Sequence, residues 1–325
     1  MIWLPDPVVD RLRASLGSPD LNGTRYRAVR LLAQGGMAAV WLAEDTVLHR
    51  QVALKILDLA EEEDLAARLL REAEILASLE HPGIVPVHDA GTLADGRVFC
   101  CMKYVQGETL ESHVRRLESV SDALRLIQRI AEPLAFAHSR AVLHRDLKPQ
   151  NVMIGPFGEV LVMDWGLAKH IDAPSPVPLL PASSHALADA NPPATGVVGT
   201  PGFMAPEQER GEAASPRSDI FSLGAVMAFT LESFAPKSER AFDSLPRPLR
   251  SICKKAMAAD PTLRYESVEA LASDISKYLE QMPVSAYREN MLERTARLTN
   301  RHATAIVLIL VYLCMRGLLI LFAKR

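Results

Sequence analysis

The chain has 325 residues, 49% of them hydrophobic and 23% charged, which excludes a disordered protein and leaves room for one large domain or two lobes. Its formal net charge of −3 gives no electrostatic pull toward nucleic acid, so no nucleic-acid partner is expected. Cys100, Cys101, Cys253 and Cys314 show neither Cys-x-x-Cys pairing nor metal-ligand spacing and read as reduced thiols.

In chain order, the opening MIWLPDPVVD lacks a basic stretch followed by an apolar run, so no signal peptide is expected, and residues 1–25 read as an N-terminal extension. Two alternating runs, YRAVRLL and AAVWLAED, then flank the stretch LLAQGGMAAV, which predicts a hairpin whose loop holds Gly35 and Gly36. QVALKIL predicts a third strand. In it Lys55 faces away from Val52, Leu54 and Ile56, on the side that also carries Ala53. Leu65, Leu69, Ala73 and Leu76 fall at helical spacing in DLAARLLREAEILASLE, a helix that also carries Glu72. HPGIVPVHDAG and RVFCCMKYV read as strands.

After about Gly107 the pattern turns helical. ALRLIQRIAEPLAFAHSRAVL is an apolar helix, and SDIFSLGAVMAFTL is apolar nearly all round and therefore expected to be buried. Residues 170–195, rich in Pro, Ala and Ser, show no period and predict a loop; FAPKSERAFDSLPRP is a second proline-rich connection. The pattern describes an α+β chain, a small β-rich lobe with one main helix followed by a larger helical lobe. Residues 303–323, ATAIVLILVYLCMRGLLILFA, carry one charge, Arg316; at about 1.5 Å per residue a helix of that length spans a bilayer core of about 30 Å. Arg288, Arg294, Arg297 and Arg301 precede this run while only Lys324 and Arg325 follow it, which predicts the preceding domain on the cytoplasmic side of a single-pass span.

The chemistry sits in HRDLKPQN, residues 144–151, with Asp164 in LVMDWG, Lys55 closing VALK, Glu72 on the first helix, and GTPGFMAPE at residues 199–207. In kind, order and spacing these motifs resemble the protein kinase family, and among its members the membrane-anchored bacterial serine/threonine kinases of the Hanks type. The resemblance spans residues 26–279. It implies a bilobal protein kinase fold at 26–280, with the N-lobe at 26–103 and the C-lobe at 104–280, followed by a juxtamembrane segment at 281–302 and the transmembrane helix at 303–323.

It also implies ATP as the phosphoryl donor, with Mg²⁺, or Mn²⁺ in its stead, held by the hard oxygens of Asn151 and Asp164. Lys55, aimed by Glu72, would meet the α- and β-phosphates; Asp146 would accept the proton of the substrate hydroxyl, and Lys148 would reach the transferred phosphate. Leu32, Gly35, Gly36, Val40, Ala53, Met102 and Met153 would enclose the nucleotide, with Lys103 to Val105 offering backbone bonds to the base. His144 is expected to pack beneath the site, Glu207 and Arg264 to form a buried ion pair, and Asp219 to bond the backbone of the 144–146 loop.

Proteins bearing Ser or Thr would be the substrates, and a homodimer would allow autophosphorylation in the activation loop. There Arg145 would pair with a phosphate on Thr195, or on Ser175, Ser183, Ser184 or Ser215. The pattern departs from the family at three places. Ala33 and Ala38 stand where two loop glycines are usual, which predicts a weaker grip on ATP; Trp165 replaces a Phe; and the segment after Leu231 is short, which predicts a poorly covered helix. A pseudokinase scaffold that binds nucleotide or partners without turnover is the alternative. The complete polar set Lys55, Glu72, Asp146, Asn151 and Asp164 argues against it.

Overall fold

A computed structural model describes residues 18–34, 38–57, 70, 73–165, 169–170, 202–234, 244–291 and 293–295, with 307–309, 311–313, 315 and 316 near the C-terminus. The first lobe is an antiparallel sheet in the order β1-β2-β3-β5-β4, formed by Tyr26–Gln34, Ala38–Asp45, Arg50–Leu57, Val87–Thr92 (β4) and Val98–Lys103 (β5). Residues 73–78 are helical. Period-two alternation divides the sheet into two faces. Trp41, Val52, Leu54, Ile56, Phe99 and Cys101 form one buried cluster with Tyr26. The register pairs Val40 with Lys55 and Lys55 with Cys100, then Leu42 with Ala53 and Ala53 with Met102, so these residues share the opposite face.

The second lobe is built on four longer helices, α1 (Val120–Ser139), α2 (Pro216–Glu232), α3 (Arg247–Ala256) and α4 (Val268–Leu279). Local chemistry sets their starts. The Ser119 hydroxyl accepts from Asp122 N–H at 3.1 Å, the Ser267 hydroxyl accepts from Ala270 N–H at 3.2 Å, and Ser215 with Ser218 makes a reciprocal capping box ahead of Pro216. Ser215, expected among the weaker phosphate acceptors, is thus a helix cap. Leu124, Ile127, Ile130 and Leu134 of α1 meet Leu223, Val226 and Met227 of α2, Ile252 of α3 and Ile275 of α4 in one core. A Cβ on Gly224 would lie 2.7 Å from the Ala256 Cβ, so glycine is what lets α2 approach α3 this closely.

The expected lack of cover on α2 is corrected. None of its large apolar side chains is among the exposed ones; Phe203 packs edge-on against Phe229 at 6.0 Å, and the Arg264 guanidinium lies 5.0 Å from the Phe221 ring. Phe234, just past α2, also packs on the core, while residues 235–243 lie outside those described.

Between the lobes run short strands: β6 (Glu108–Thr109), β7 (Val142–Leu143), β8 (Val152–Ile154), β9 (Val160–Val162) and β10 (Lys169–His170). β6, β8 and β9 form a sheet, and β7 pairs with β10. β9 also ties back toward the first lobe, through Val162 N–H to Gly83 O at 2.8 Å and Val85 N–H to Val162 O at 3.4 Å. Among the described residues no helix is long and apolar enough to cross a membrane; the run at 303–323 falls only in part on them.

Candidate functional site

Two loops and one strand bring the polar residues together. β7 delivers residues 144–148, the turn Pro149–Asn151 with Pro149 in its first position leads into β8, and β9 leads to Asp164. Asp219 at the start of α2 holds the first loop: it accepts from His144 N–H at 2.9 Å and Arg145 N–H at 2.8 Å, and His138 Nε2 stands 2.7 Å from its Oδ2. Burial pushes the Asp219 carboxyl up. The bond from His138 and the N–H bond from Arg145 outweigh that and hold it below 3.8, so it is ionised. Gln208 adds a bond to Arg145 O at 3.1 Å. His138 and Gln208 escaped the sequence reading because each acts through a contact distant in sequence, His138 on Asp219 and Gln208 on Arg145, with no local motif to mark it.

His144 is fully buried. Its Nδ1 accepts from Asp146 N–H at 3.3 Å, which assigns the proton to Nε2, 3.1 Å from Met163 O. Burial lowers its pKa, so the ring is neutral and structural, as expected. The Trp165 ring lies 4.6 Å from it and is 1% exposed; the indole N–H donates to Val162 O at 3.2 Å. Trp fits in place of Phe because its one donor finds a carbonyl.

Around this support stand two ionic clusters. The Lys55 ammonium on the first lobe meets Asp164 Oδ1 at 3.0 Å, joining residues 109 apart in sequence across the lobes. That charge holds the Asp164 carboxyl below 3.8. Below it the Lys148 ammonium meets Asp146 Oδ2 at 2.8 Å, and Asn151 Nδ2 donates to Asp146 O at 2.8 Å and to its Oδ2 at 3.3 Å. Asp146, Lys148 and Asn151 are 5, 7 and 6% exposed, a degree of burial that charged side chains show only when paired. Arg145 at φ 70° and Asp164 at φ 54° occupy the left-handed region, a strain that gathers where function needs a fixed side-chain direction.

The residues fit a divalent cation. Met163 N–H donates to Asn151 O at 2.8 Å, which sets Asn151 and Asp164 on neighbouring backbone. The Asn151 amide hydrogens turn toward Asp146, which leaves its Oδ1 as a hard ligand beside the Asp164 carboxylate. Among the described residues no group of three or more His, Cys, Asp or Glu forms a metal cage. Two oxygen ligands of this kind suit Mg²⁺ shared with substrate phosphates rather than an all-protein site.

Of the residues expected around a nucleotide, Val40, Ala53, Lys55 and Met102 share one sheet face, and Met153 lies on β8. Leu32 lies on β1 and Val105 follows β5, both half-buried. The Lys103 N–H donates to Pro86 O at 3.0 Å, so the backbone bonds expected from residues 103–105 fall to the Lys103 carbonyl and to Tyr104 and Val105. Gly35, Gly36, Glu72, Thr195, Ser175, Ser183 and Ser184 lie outside the described residues. Ala33 pairs with Val40 just past a register shift in the β1–β2 ladder, Ala38 pairs with Leu57, and neither has a positive φ.

A family model described as "Protein kinase domain" matches residues 26–299. The serine/threonine-protein kinase PknD of Chlamydia felis is 35% identical over 80% of this chain and 31% of its own length. PrkC of Bacillus subtilis, also a serine/threonine-protein kinase, is 34% identical over 77% of this chain and 40% of its own length. The chain therefore spans about a third of the PknD relative. Among solved structures, the PknI kinase domain of Mycobacterium tuberculosis superposes with a TM-score of 0.56 at 26% identity, covering 78% of this chain and 95% of that one.

Proposed function

The chain belongs to the protein kinase family, with that family's β-sheet first lobe and helical second lobe, and from that premise we propose that it transfers the γ-phosphate of ATP to serine or threonine hydroxyls of proteins. The observation that carries this is the pair of clusters, Lys55 with Asp164 and Lys148 with Asp146 and Asn151, assembled on a buried support. Phosphoryl transfer asks a protein mainly for positioning and for cations near the phosphates. Lys55 supplies one such charge from the first lobe and Lys148 a second from the loop. Asp146 accepts the hydroxyl proton as the substrate oxygen bonds to phosphorus, and the bond to the ADP oxygen breaks. Mg²⁺, held by Asp164 and Asn151, would neutralise the phosphate oxygens. Met102, Ala53, Val40 and Met153 supply apolar surface for the base, with Val105 near its edge. Transfer of label from γ-labelled ATP to serine or threonine by the full chain, abolished in Asp164→Asn, is the expected result. Equal transfer by both would leave the scaffold reading in place.

Regulation through the activation loop is part of the same proposal. Arg145 Nε is buried without a hydrogen-bond partner among the described residues, and burial lowers the guanidinium's pKa, so an anion beside it would be favoured. Mass spectrometry after incubation with Mg-ATP should find phosphate within residues 171–200, Thr195 first; an active sample without it sinks this part. A membrane anchor at 303–323 completes the proposal. Supporting it, Val307, Leu308, Ile309, Val311, Tyr312 and Leu313 are helical yet each more than 50% exposed, an apolar run that does not pack on the domain. The arginines before it favour a cytoplasmic kinase domain. Protease added outside sealed membranes should spare that domain; digestion would reverse the orientation.

A further inference from the structure

Behind the nucleotide slot, β8 carries Met153 and Ile154 on alternate faces, and Ile154 lines a second cavity of about 700 Å³. That volume is typical of ligand sites, which run to about 300–1,000 Å³. Its walls are the start of β6 with the short helical turns after it (110–116) and Leu117, the β8–β9 turn and one stripe of α1, where Asp122, Arg125, Leu126 and Arg129 recur at helical spacing.

The charges here are unequal in availability. Glu108 is neutralised within the wall, with His113 Nδ1 and Arg116 Nη1 each 3.0 Å from its Oε1. Asp122 accepts from the Ser119 hydroxyl at 2.7 Å as part of the α1 cap. Arg125 has no hydrogen-bond or ion-pair partner among the described residues, and Arg129 spends one nitrogen on Gly158 O. Two exposed guanidinium groups one helical turn apart therefore face the cavity, with apolar surface from Leu117, Leu126 and Ile154 between the walls.

Between the lining residues Pro156 and Gly158 stands Phe157, outside the wall and 92% exposed on a hydrogen-bonded turn. Gly155 N–H donates to Glu159 O at 2.8 Å, Gly158 N–H to Gly155 O at 3.0 Å and Phe157 N–H to the Glu159 carboxylate at 3.0 Å.

We propose that this cavity docks an acidic, apolar segment of the protein substrate, its carboxylates on Arg125 and Arg129 and a bulky apolar side chain against Phe157 and Leu117. Arginine forks match carboxylates in pairs, and the apolar lining rewards a peptide over a bare anion. The proposal deepens the kinase reading by naming a second recognition surface, away from the Lys55–Asp164 cleft.

The test is fluorescence anisotropy with the full chain carrying Asp146→Asn, without ATP, so binding is read independently of turnover. The probe is a short fluorescein-labelled peptide with glutamate pairs flanking leucine. Arg125→Glu should weaken its binding roughly ten-fold or more, Phe157→Ser should weaken it too, and added salt should lower it in the parent alone. In the otherwise unchanged enzyme, Arg125→Glu should raise KM for a substrate bearing that segment and leave KM for a short peptide lacking it unaltered. Equal binding of the lysine-for-glutamate peptide, no effect of Arg125→Glu in a chain with unchanged melting, or displacement of the probe by inorganic phosphate at the phosphate's own affinity, marking a small-anion site, would each overturn it.

Discussion

Asp146→Asn should lower the rate of phosphoryl transfer by about 10²–10⁴-fold, the range a positioned proton acceptor contributes, while ATP binds with near-unchanged affinity. The substitution keeps the shape of the side chain. A carbonyl oxygen can still accept from Lys148, now 2.8 Å from Oδ2, and the Asn151 bond to the residue 146 main-chain oxygen is untouched. The loop itself is held from elsewhere, by Asp219 on two N–H groups and by Gln208 on Arg145 O, so it keeps its course. What is lost is the negative charge that draws the hydroxyl proton, and with it the compensation for a Lys148 ammonium that is 7% exposed. The loss therefore falls on kcat rather than on KM for ATP, whose cation Lys55 is bound to a different carboxylate. Single-turnover transfer beside equilibrium binding of an ATP analogue measures the two separately. A fall in nucleotide affinity as large as the fall in rate would mean that Asp146 supports the nucleotide site instead.

The fold and most of the site were legible in the sequence for unequal reasons. Strands β1 to β3 and helix α1 announce themselves by period, since a face that must be buried repeats at two or 3.6 residues, whereas α2 announces itself by being apolar all round. Lys55, Asp146, Asn151 and Asp164 were legible by motif, and the structure brings Lys55 to Asp164 although no periodicity links them. The roles of His138, a single polar residue on an apolar helix, and of Gln208, in the polar turn Pro206–Glu209, were hidden because such residues look the same whether they bond a distant partner or solvent. At the hairpin, Ala33 and Ala38 stand in ladder pairs, while Gly35 and Gly36 between them lie outside the described residues.

Arg264→Gln should destabilise the chain by about 3–5 kcal/mol, the cost of leaving a buried charge without its partner. At about 2–4 °C per kcal/mol for a domain of this size, the melting midpoint should fall by roughly 10 °C or more. Arg264 is 3% exposed and Glu207 4%, and they meet as a fork, Nη1 to Oε1 and Nη2 to Oε2, both at 2.7 Å. The remaining guanidinium hydrogens go to Ala258 O at 2.8 Å, Arg217 O at 2.8 Å and Ala259 O at 3.3 Å, so all of its donors are used. Lysine, with a single ammonium, cannot span those acceptors, and Arg264→Lys should recover little of the loss.

The pH dependence has a definite sign. Burial alone would push the Glu207 carboxyl above its ordinary 4.5, but bonds from Arg264, its own backbone N–H and Ser218 outweigh it and hold the group below that value. A carboxyl depressed in the folded state contributes stability that is complete above 4.5 and drains away as pH falls toward its folded value. The parent should therefore lose stability below about pH 4.5 more steeply than Arg264→Gln, whose Glu207 has no cation to lose. Because Glu207 neighbours Gln208, which bonds Arg145 O beside Asp146, slackening this joint should also lower kcat well below the melting transition. Parallel acid titrations with the same slope, or a melting midpoint moved by only a degree or two, would show that solvent already shields the pair and that the activation segment is fastened elsewhere.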